Sequence, residues 1–207
     1  NTGPGYYCPV QAVLYGAQPG RAPTIQESIA HLAELGTRIT YVVQHTQEGY
    51  GDAVYCARSW TGDEPVLLGD HVYISRTSSR CARQLMDVFE RHQAPVSGVI
   101  RKPEKDLRLF GTVYGSPVSA DPPVYQVAHM VEKPEVIYAR KNLQMDHMPA
   151  STYLCFFGLH ILSPDIFDYL EEMKSDDLRE GGEIQFTSAQ VMLVDRGPYY
   201  ACEIDGT

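Results

Sequence analysis

The chain has 207 residues, 43% hydrophobic and 21% charged, so it can bury one sizeable core without staples and has the composition of an ordinary globular domain. Its formal net charge of −9 at pH 7 leaves no basic stripe for a nucleic-acid backbone, so a phosphate-bearing ligand must be held by a few local cations, loop amides or a metal. Five scattered cysteines form no CxxC or zinc-spaced cluster, which reads as free thiols in a reducing cytoplasm, and no apolar run reaches the roughly 18 residues of a membrane helix.

Pro4, Pro9, Gly16, Pro19, Gly20 and Pro23 punctuate the first 24 residues, where only 10–15 suggests a strand. Thr24 and Glu27 have the spacing of a capping box. That predicts a helix over 26–35, with Ile29, Leu32 and Leu35 inward and Gly36 as its C-cap. The run Ile39-Thr40-Tyr41-Val42-Val43 predicts a strand, ended by Gln44. A loop with Gly49 and Gly51 follows, then helical spacing over 52–60 with Ala53, Cys56, Ala57 and Trp60 on one face. Residues 61–65 form a turn. Val66-Leu67-Leu68 is a short apolar strand of the kind buried in a parallel sheet, and it stops at Gly69-Asp70.

Beyond a polar stretch at 75–79, residues 80–93 are helical, with Leu85, Met86, Val88 and Phe89 on the buried face. A strand over 96–100 leads into charged residues 101–106, read as a solvated loop or one helical turn. Residues 109–114 are strand-like around Gly111, where a glycine marks either the close approach of a ligand or a bulge. Residues 116–123 read as a Pro/Ser loop, 125–131 as an alternating strand, and 134–149 as loop or short helix. A long apolar strand over 151–162 contains Gly158, and Pro164 opens a helix over 165–173. A helix over 189–193, a strand over 199–204 and a turn at Asp205-Gly206 complete the pattern. This order predicts a single α/β domain over 1–207, Rossmann-like, with a mostly parallel sheet and helices on both faces.

In open α/β sheets ligands sit beyond the carboxyl ends of the strands, so Gln44, the glycine loop and Asp70 are expected along one edge. Gln44 carries an acceptor and donors enough to pair with the edge of a nucleobase. Gly49 beside it lets the backbone approach a flat ring. The Asp70 carboxylate suits Mg2+, which takes oxygen ligands and keeps waters for substrate phosphates. Taken singly, each residue also has a plain alternative: a solvated glutamine, a simple Gly-x-Gly turn, a capping aspartate. Glu132-Lys133-Pro134 reads equally as an exposed ion pair with a stop signal, or as a carboxylate for vicinal hydroxyls beside an ammonium for a phosphate oxygen.

Several segments stand in a fixed order: Q-x4-G-x-G-x-A-V from Gln44, G-D-E-P at 62–65, L-L-G-D at 67–70, F-G-T-V at 110–113, E-K-P at 132–134, P-D-I-F-D-Y-L at 164–170 and G-G-E-I-Q-F-T-S at 181–188. Together they resemble the nucleotide-sugar pyrophosphorylases, above all the bacterial UTP–glucose-1-phosphate uridylyltransferases, over residues 34–206. The resemblance implies an enzyme that transfers a nucleotidyl group from UTP to glucose 1-phosphate, giving UDP-glucose and pyrophosphate, with Mg2+ as cofactor. It implies Gln44 and Gly49 on the nucleotide, Gly111, Glu132 and Gly158 on the sugar, Lys133 on the sugar phosphate, and Asp70 as the catalytic metal ligand. It also implies a small antiparallel sugar-binding extension to the sheet. The expected partners are small-molecule substrates, with neither nucleic acid nor membrane, in the cytoplasm; a homo-oligomer is left open.

The chain departs from the family pattern in three places. The glycine-rich loop with arginine and lysine that the family carries on its first strand has no counterpart here, Ser188 stands where the family has a metal-binding aspartate, and the domain is expected to be incomplete at both ends. Two other readings stand beside the first: a pyrophosphorylase for another nucleotide and sugar, or a catalytically silent sugar-nucleotide-binding or regulatory domain.

Overall fold

The computed structural model describes residues 6–10, 25–37, 40–61, 66–67 and 73–207. Strand β1 (Tyr6–Val10) pairs antiparallel with β2 (Thr40–Gln44), and helix α1 (Ile25–Thr37) lies between them in sequence. The strand expected over 10–15 falls, beyond Val10, outside the described residues. Helix α1 runs through Gly36 to Thr37 rather than being capped there, and Ile29, expected inward, is 61% exposed.

The predicted helix over 52–60 is two pieces, α2 (Tyr50–Cys56) and α3 (Arg58–Thr61), broken at Ala57. The break rotates the expected apolar face: Val54 and Ala57 are buried, whereas Trp60 is exposed. Helix α4 (Cys81–His92) matches its prediction, with Leu85 and Val88 fully inside.

Six strands form the main sheet: β3 (Val66–Leu67), β4 (Val96–Pro103), β5 (Thr112–Ala120), β6 (Pro123–Val131), β7 (Thr152–Ile161) and β8 (Tyr200–Glu203). Their order is β3-β7-β4-β8-β6-β5. The α/β class stands, but the expected mostly parallel sheet needs correction: only β4 and β8 pair parallel, and the other pairs described are antiparallel. The reason is topological. Strands β3 and β4 run the same way, as a strand-helix-strand order requires, but β7 is inserted between them and opposes both. Sequence alternation fixes direction, not adjacency.

The Pro/Ser stretch expected as a loop is instead most of β5, which forms a hairpin with β6 and turns at Asp121-Pro122. Strand β5 also pairs with β7 at Thr112 and Val113, but past Val113 the described residues put a strand on one side of it alone, and there Pro117 is tolerated because its missing N–H need not join a ladder. This hairpin supplies the antiparallel extension.

Helices cover both faces. Helices α2, α6 (Asp165–Ser175) and α7 (Phe186–Arg196) pack over Val99, Val113, Val127 and Leu154. Helix α4 covers Val96, Phe157, Leu159 and Cys202 on the other face, and α5 (Val136–Asn142) with a 3-10 turn at Glu104–Leu109 covers Tyr153 and Cys155. Burial pushes the Cys155 thiol to about 11 and the Cys202 thiol to about 12, so both are inert thiols of the core. No helix among the described residues is long and apolar enough to cross a membrane.

Candidate functional site

A cleft of about 830 Å³ opens over the sheet, and Gly111, Glu132, Lys133 and Gly158 all line it. Gly111 sits just before β5 because nothing larger fits: a Cβ there would lie 2.5 Å from the Phe156 ring and 2.9 Å from Glu132 Oε2. The absent side chain lets the Phe156 ring and the one carboxylate that β6 delivers close directly on the backbone. That carboxylate is held by α7, whose Thr187 hydroxyl donates to Glu132 Oε2 at 2.6 Å. Lys133 follows with its Nζ 3.6 Å from Glu132 Oε1 and its side chain 58% exposed, an ammonium free to reach toward an anion. It has φ of 44°, a left-handed backbone turn just past the end of the strand.

Gly158 lies in a bulge. Ser97 faces His160 and Val99 faces Phe156, so three residues of β7 oppose Gly98 alone. Gly158 takes φ of 84°, which a residue with a Cβ rarely adopts, and its carbonyl accepts from Tyr73 Oη at 2.9 Å. Phe156 and His160 flank the bulge and both line the cleft. The His160 ring meets Phe156 and Phe186 edge-on, at centroid distances of 5.3 and 5.7 Å. Beneath it is a buried polar group: Ser97 Oγ lies 2.6 Å from both His160 Nδ1 and Tyr199 Oη, and Gln190 Nε2 lies 2.8 Å from Tyr199 Oη and 3.1 Å from His160 Nδ1. Burial lowers the His160 pKa from the ordinary 6.5 to about 4, so the ring is neutral at pH 7.

The glycine loop closes one end of the cleft. Gly49 has φ of 103°, and a Cβ on it would meet Glu183 Cβ at 2.8 Å, with Glu183 and Tyr50 both lining the cleft. Two backbone bonds strap this loop to the segment before α7: Ile184 N donates to Glu48 O at 2.7 Å, and Gly51 N donates to Ile184 O at 2.9 Å. Gln44 does not line the cleft itself. Its Nε2 donates to Gly49 O at 3.2 Å and to Asp52 Oδ2 at 2.6 Å. Both amide hydrogens are thus spent inside the protein, and Oε1 is the group left to a ligand. Asp52, 3% exposed, in turn accepts from Lys174 of α6, which also pairs with Glu48 at 2.7 Å. Against the desolvation that would lower it, these bonds hold Lys174 above its ordinary pKa, and the Glu48 carboxyl is lowered by its bonds to Lys174 and Arg179.

Asp70 lies outside the described residues. The residue expected to face it, Ser188 on α7, donates its hydroxyl to Glu180 Oε1 at 2.8 Å. Among the described residues no group of three or more His, Cys, Asp or Glu side chains is placed to hold a metal ion. The described donors therefore do not by themselves fit Mg2+, which asks for several hard oxygens in near-octahedral array.

The structure thus brings Gly111, Glu132, Lys133 and Gly158 into one cleft, whereas Gly49 and Gln44 do not line it and adjoin it only through Tyr50 and Glu183. Sequence reasoning missed Thr187, Phe156, His160 and Asp52. Thr187 lies inside a segment already singled out, but its partner is 55 residues away.

Two β-strand ends meet at this cleft of a helix-covered α/β sheet, with the glycine loop strapped beside it. The family model described as nucleotidyl transferase matches residues 10–204, and the chain belongs to that family. It is 35% identical over 170 residues to the UTP–glucose-1-phosphate uridylyltransferase of Bacillus subtilis (strain 168), covering 81% of this chain and 52% of that one. It is 36% identical over 182 residues to the enzyme of the same name from Staphylococcus haemolyticus (strain JCSC1435), covering 87% and 57%. Among solved structures, an apo UDP-glucose pyrophosphorylase superposes with a TM-score of 0.66 at 26% identity, over 81% of this chain and 56% of that one. The chain spans about half the length of the curated relatives it matches.

Proposed function

We propose that this chain carries the sugar-nucleotide site of an enzyme that transfers uridylyl from UTP to glucose 1-phosphate. The phosphate oxygen of the sugar phosphate attacks the α-phosphorus of UTP in line, the bond to the β-phosphate breaks, and pyrophosphate leaves. No covalent intermediate on the protein is needed, so catalysis is positioning and charge neutralisation.

The observation that carries this reading is the cleft wall made by Gly111, Glu132 and Thr187. A carboxylate held in one orientation against bare backbone on a cleft wall is suited to a polyol, whose vicinal hydroxyls donate to Glu132. Lys133 neutralises the sugar phosphate. Gly49 brings backbone against the base, and Gln44 Oε1 accepts from the imide N–H of uracil. The relatives named for this reaction support the choice of UTP and glucose 1-phosphate.

Mg2+ belongs to this proposal through Asp70, the carboxylate expected at a strand end. The described residues supply no further carboxylate array for it.

A second reading, a domain that binds sugar nucleotides without turnover, is favoured by Ser188, whose hydroxyl is engaged with Glu180. One pair of measurements separates the two: pyrophosphate release from UTP and glucose 1-phosphate, and calorimetric binding of UDP-glucose. Release with binding supports the transferase; binding alone supports the silent domain; neither overturns both.

A further inference from the structure

The buried group beneath the cleft has a direction. An amide nitrogen can only donate, so the Gln190 Nε2 hydrogens go to Tyr199 Oη at 2.8 Å and to His160 Nδ1 at 3.1 Å. Nδ1, facing that amide, is an acceptor, and it shares its one lone pair with the Ser97 hydroxyl 2.6 Å away, which also donates to it. That spends the one Ser97 hydrogen, so Ser97 Oγ accepts from Tyr199 Oη at 2.6 Å. Every hydrogen in the chain points toward Nδ1. A neutral imidazole that accepts at Nδ1 carries its proton on Nε2.

These side chains come from four separate elements: Ser97 from β4, His160 from β7, Gln190 from α7, and Tyr199 from just before β8. Ser97, Gln190 and Tyr199 are at most 1% exposed, and His160 is 4% exposed. Of the ring's polar atoms, Nδ1 is saturated from below, whereas Nε2 has no hydrogen-bond partner among the described residues and is not sealed in the core. Its open side is the cleft that His160 lines. Phe156, which touches the ring edge-on, is the residue that fills the space beside Gly111 and so adjoins Glu132.

We infer that His160 is a sugar-recognition residue: its Nε2–H, fixed by the Gln190–Tyr199–Ser97 relay, donates to an oxygen of the hexose that Glu132 holds from the other side by accepting. This rests on the cleft being a sugar-nucleotide site. The pair makes one wall an acceptor and the floor a donor, so a ligand is selected by which of its oxygens gives a hydrogen and which takes one. A buried N–H aimed at an empty cleft also disfavours a ligand that lacks an acceptor there, since the donor would then be left unsatisfied.

Three measurements test it. Nitrogen-15 NMR of the His160 ring at pH 7 is expected to show a protonated Nε2 and an unprotonated Nδ1; the opposite tautomer overturns the relay. In the wild-type protein the Nε2 proton is expected to shift on binding UDP-glucose and not on binding UDP; an equal response to both overturns the contact with the sugar. His160→Phe, which keeps a flat ring, is expected to weaken UDP-glucose about five- to tenfold, the loss of one neutral hydrogen bond, with UDP affinity unchanged. Equal loss for both ligands makes His160 structural, and no loss removes it from the site; either result overturns this inference alone. A wild-type protein that binds no sugar nucleotide overturns the proposed function and this inference with it.

Discussion

Thr187 Oγ1 lies 2.6 Å from Glu132 Oε2, joining the first turn of α7 to the end of β6 in one wall of the cleft. Residues far apart in sequence thereby fix one carboxylate in one orientation, with its other oxygen turned toward Lys133. Thr187→Val keeps the shape and removes the donor. UDP-glucose affinity is expected to fall about three- to tenfold while UDP affinity holds, because only the orientation of the sugar acceptor is lost. Calorimetry giving unchanged values for both ligands would detach Thr187 from the site.

Lys133 tests the phosphate contact. With its side chain 58% exposed and only a 3.6 Å approach to Glu132, it has little structural work to do. Lys133→Ala is expected to weaken UDP-glucose by about 1.5–3 kcal/mol, the range of a charge-assisted bond, and to leave the melting temperature nearly unchanged. Unaltered affinity would reduce the pair to a surface ion pair.

The glycine loop is a packing constraint as well as a ligand wall. A Cβ on Gly51 would lie 2.7 Å from Ile184 O, which also accepts the Gly51 amide, so neither backbone can retreat without breaking the strap. Gly51→Ala is expected to destabilise the protein by about 1–3 kcal/mol, an overpacking cost, seen as a lower midpoint in urea. A midpoint equal to wild type would show that α2 can shift off the Ile184 segment.

His160 sets a pH dependence whose sign follows from burial. The folded protein keeps the ring neutral down to about pH 4, whereas an unfolded chain protonates it near 6.5. Above 6.5 both states hold the same protons and the contribution is fully present. As pH falls from 6.5 toward 4 the unfolded state takes up the proton first, and stability drops by a total on the order of 2–4 kcal/mol. Wild type and His160→Phe compared by urea unfolding at pH 7 and 4.5 should converge at the lower pH. Parallel losses in the two proteins would assign the acid sensitivity to other groups.

Asp52 is the hub of the loop's charges, accepting from Gln44 at 2.6 Å and from Lys174. Asp52→Leu frees the Gln44 amide to turn and present hydrogens instead of its oxygen. The preference for UDP over CDP is expected to narrow, since cytosine offers an acceptor where uracil offers an imide N–H. An unchanged ratio of the two affinities would mean that Gln44 does not read the base.

The sequence alone determined the inventory. Glycines at 49, 111 and 158, the Glu132-Lys133 pair and the strand and helix periodicities can be read off the chain, because a glycine between apolar runs, a strand end or an apolar face is marked by its neighbours in sequence. The tertiary structure alone decided adjacency. Nothing near 152–161 says that this strand inserts between β3 and β4, so the sheet expected to be mostly parallel is mostly antiparallel. Trp60 was misplaced because one broken turn at Ala57 rotates everything after it. Thr187, Asp52 and His160 acquire their roles from partners on other elements: Glu132 for the first, Gln44 and Lys174 for the second, Ser97, Tyr199 and Gln190 for the third. A hydrogen-bond chain is a property of distances and directions between elements, and those are set by how the sheet is ordered and covered, which no single stretch of sequence encodes.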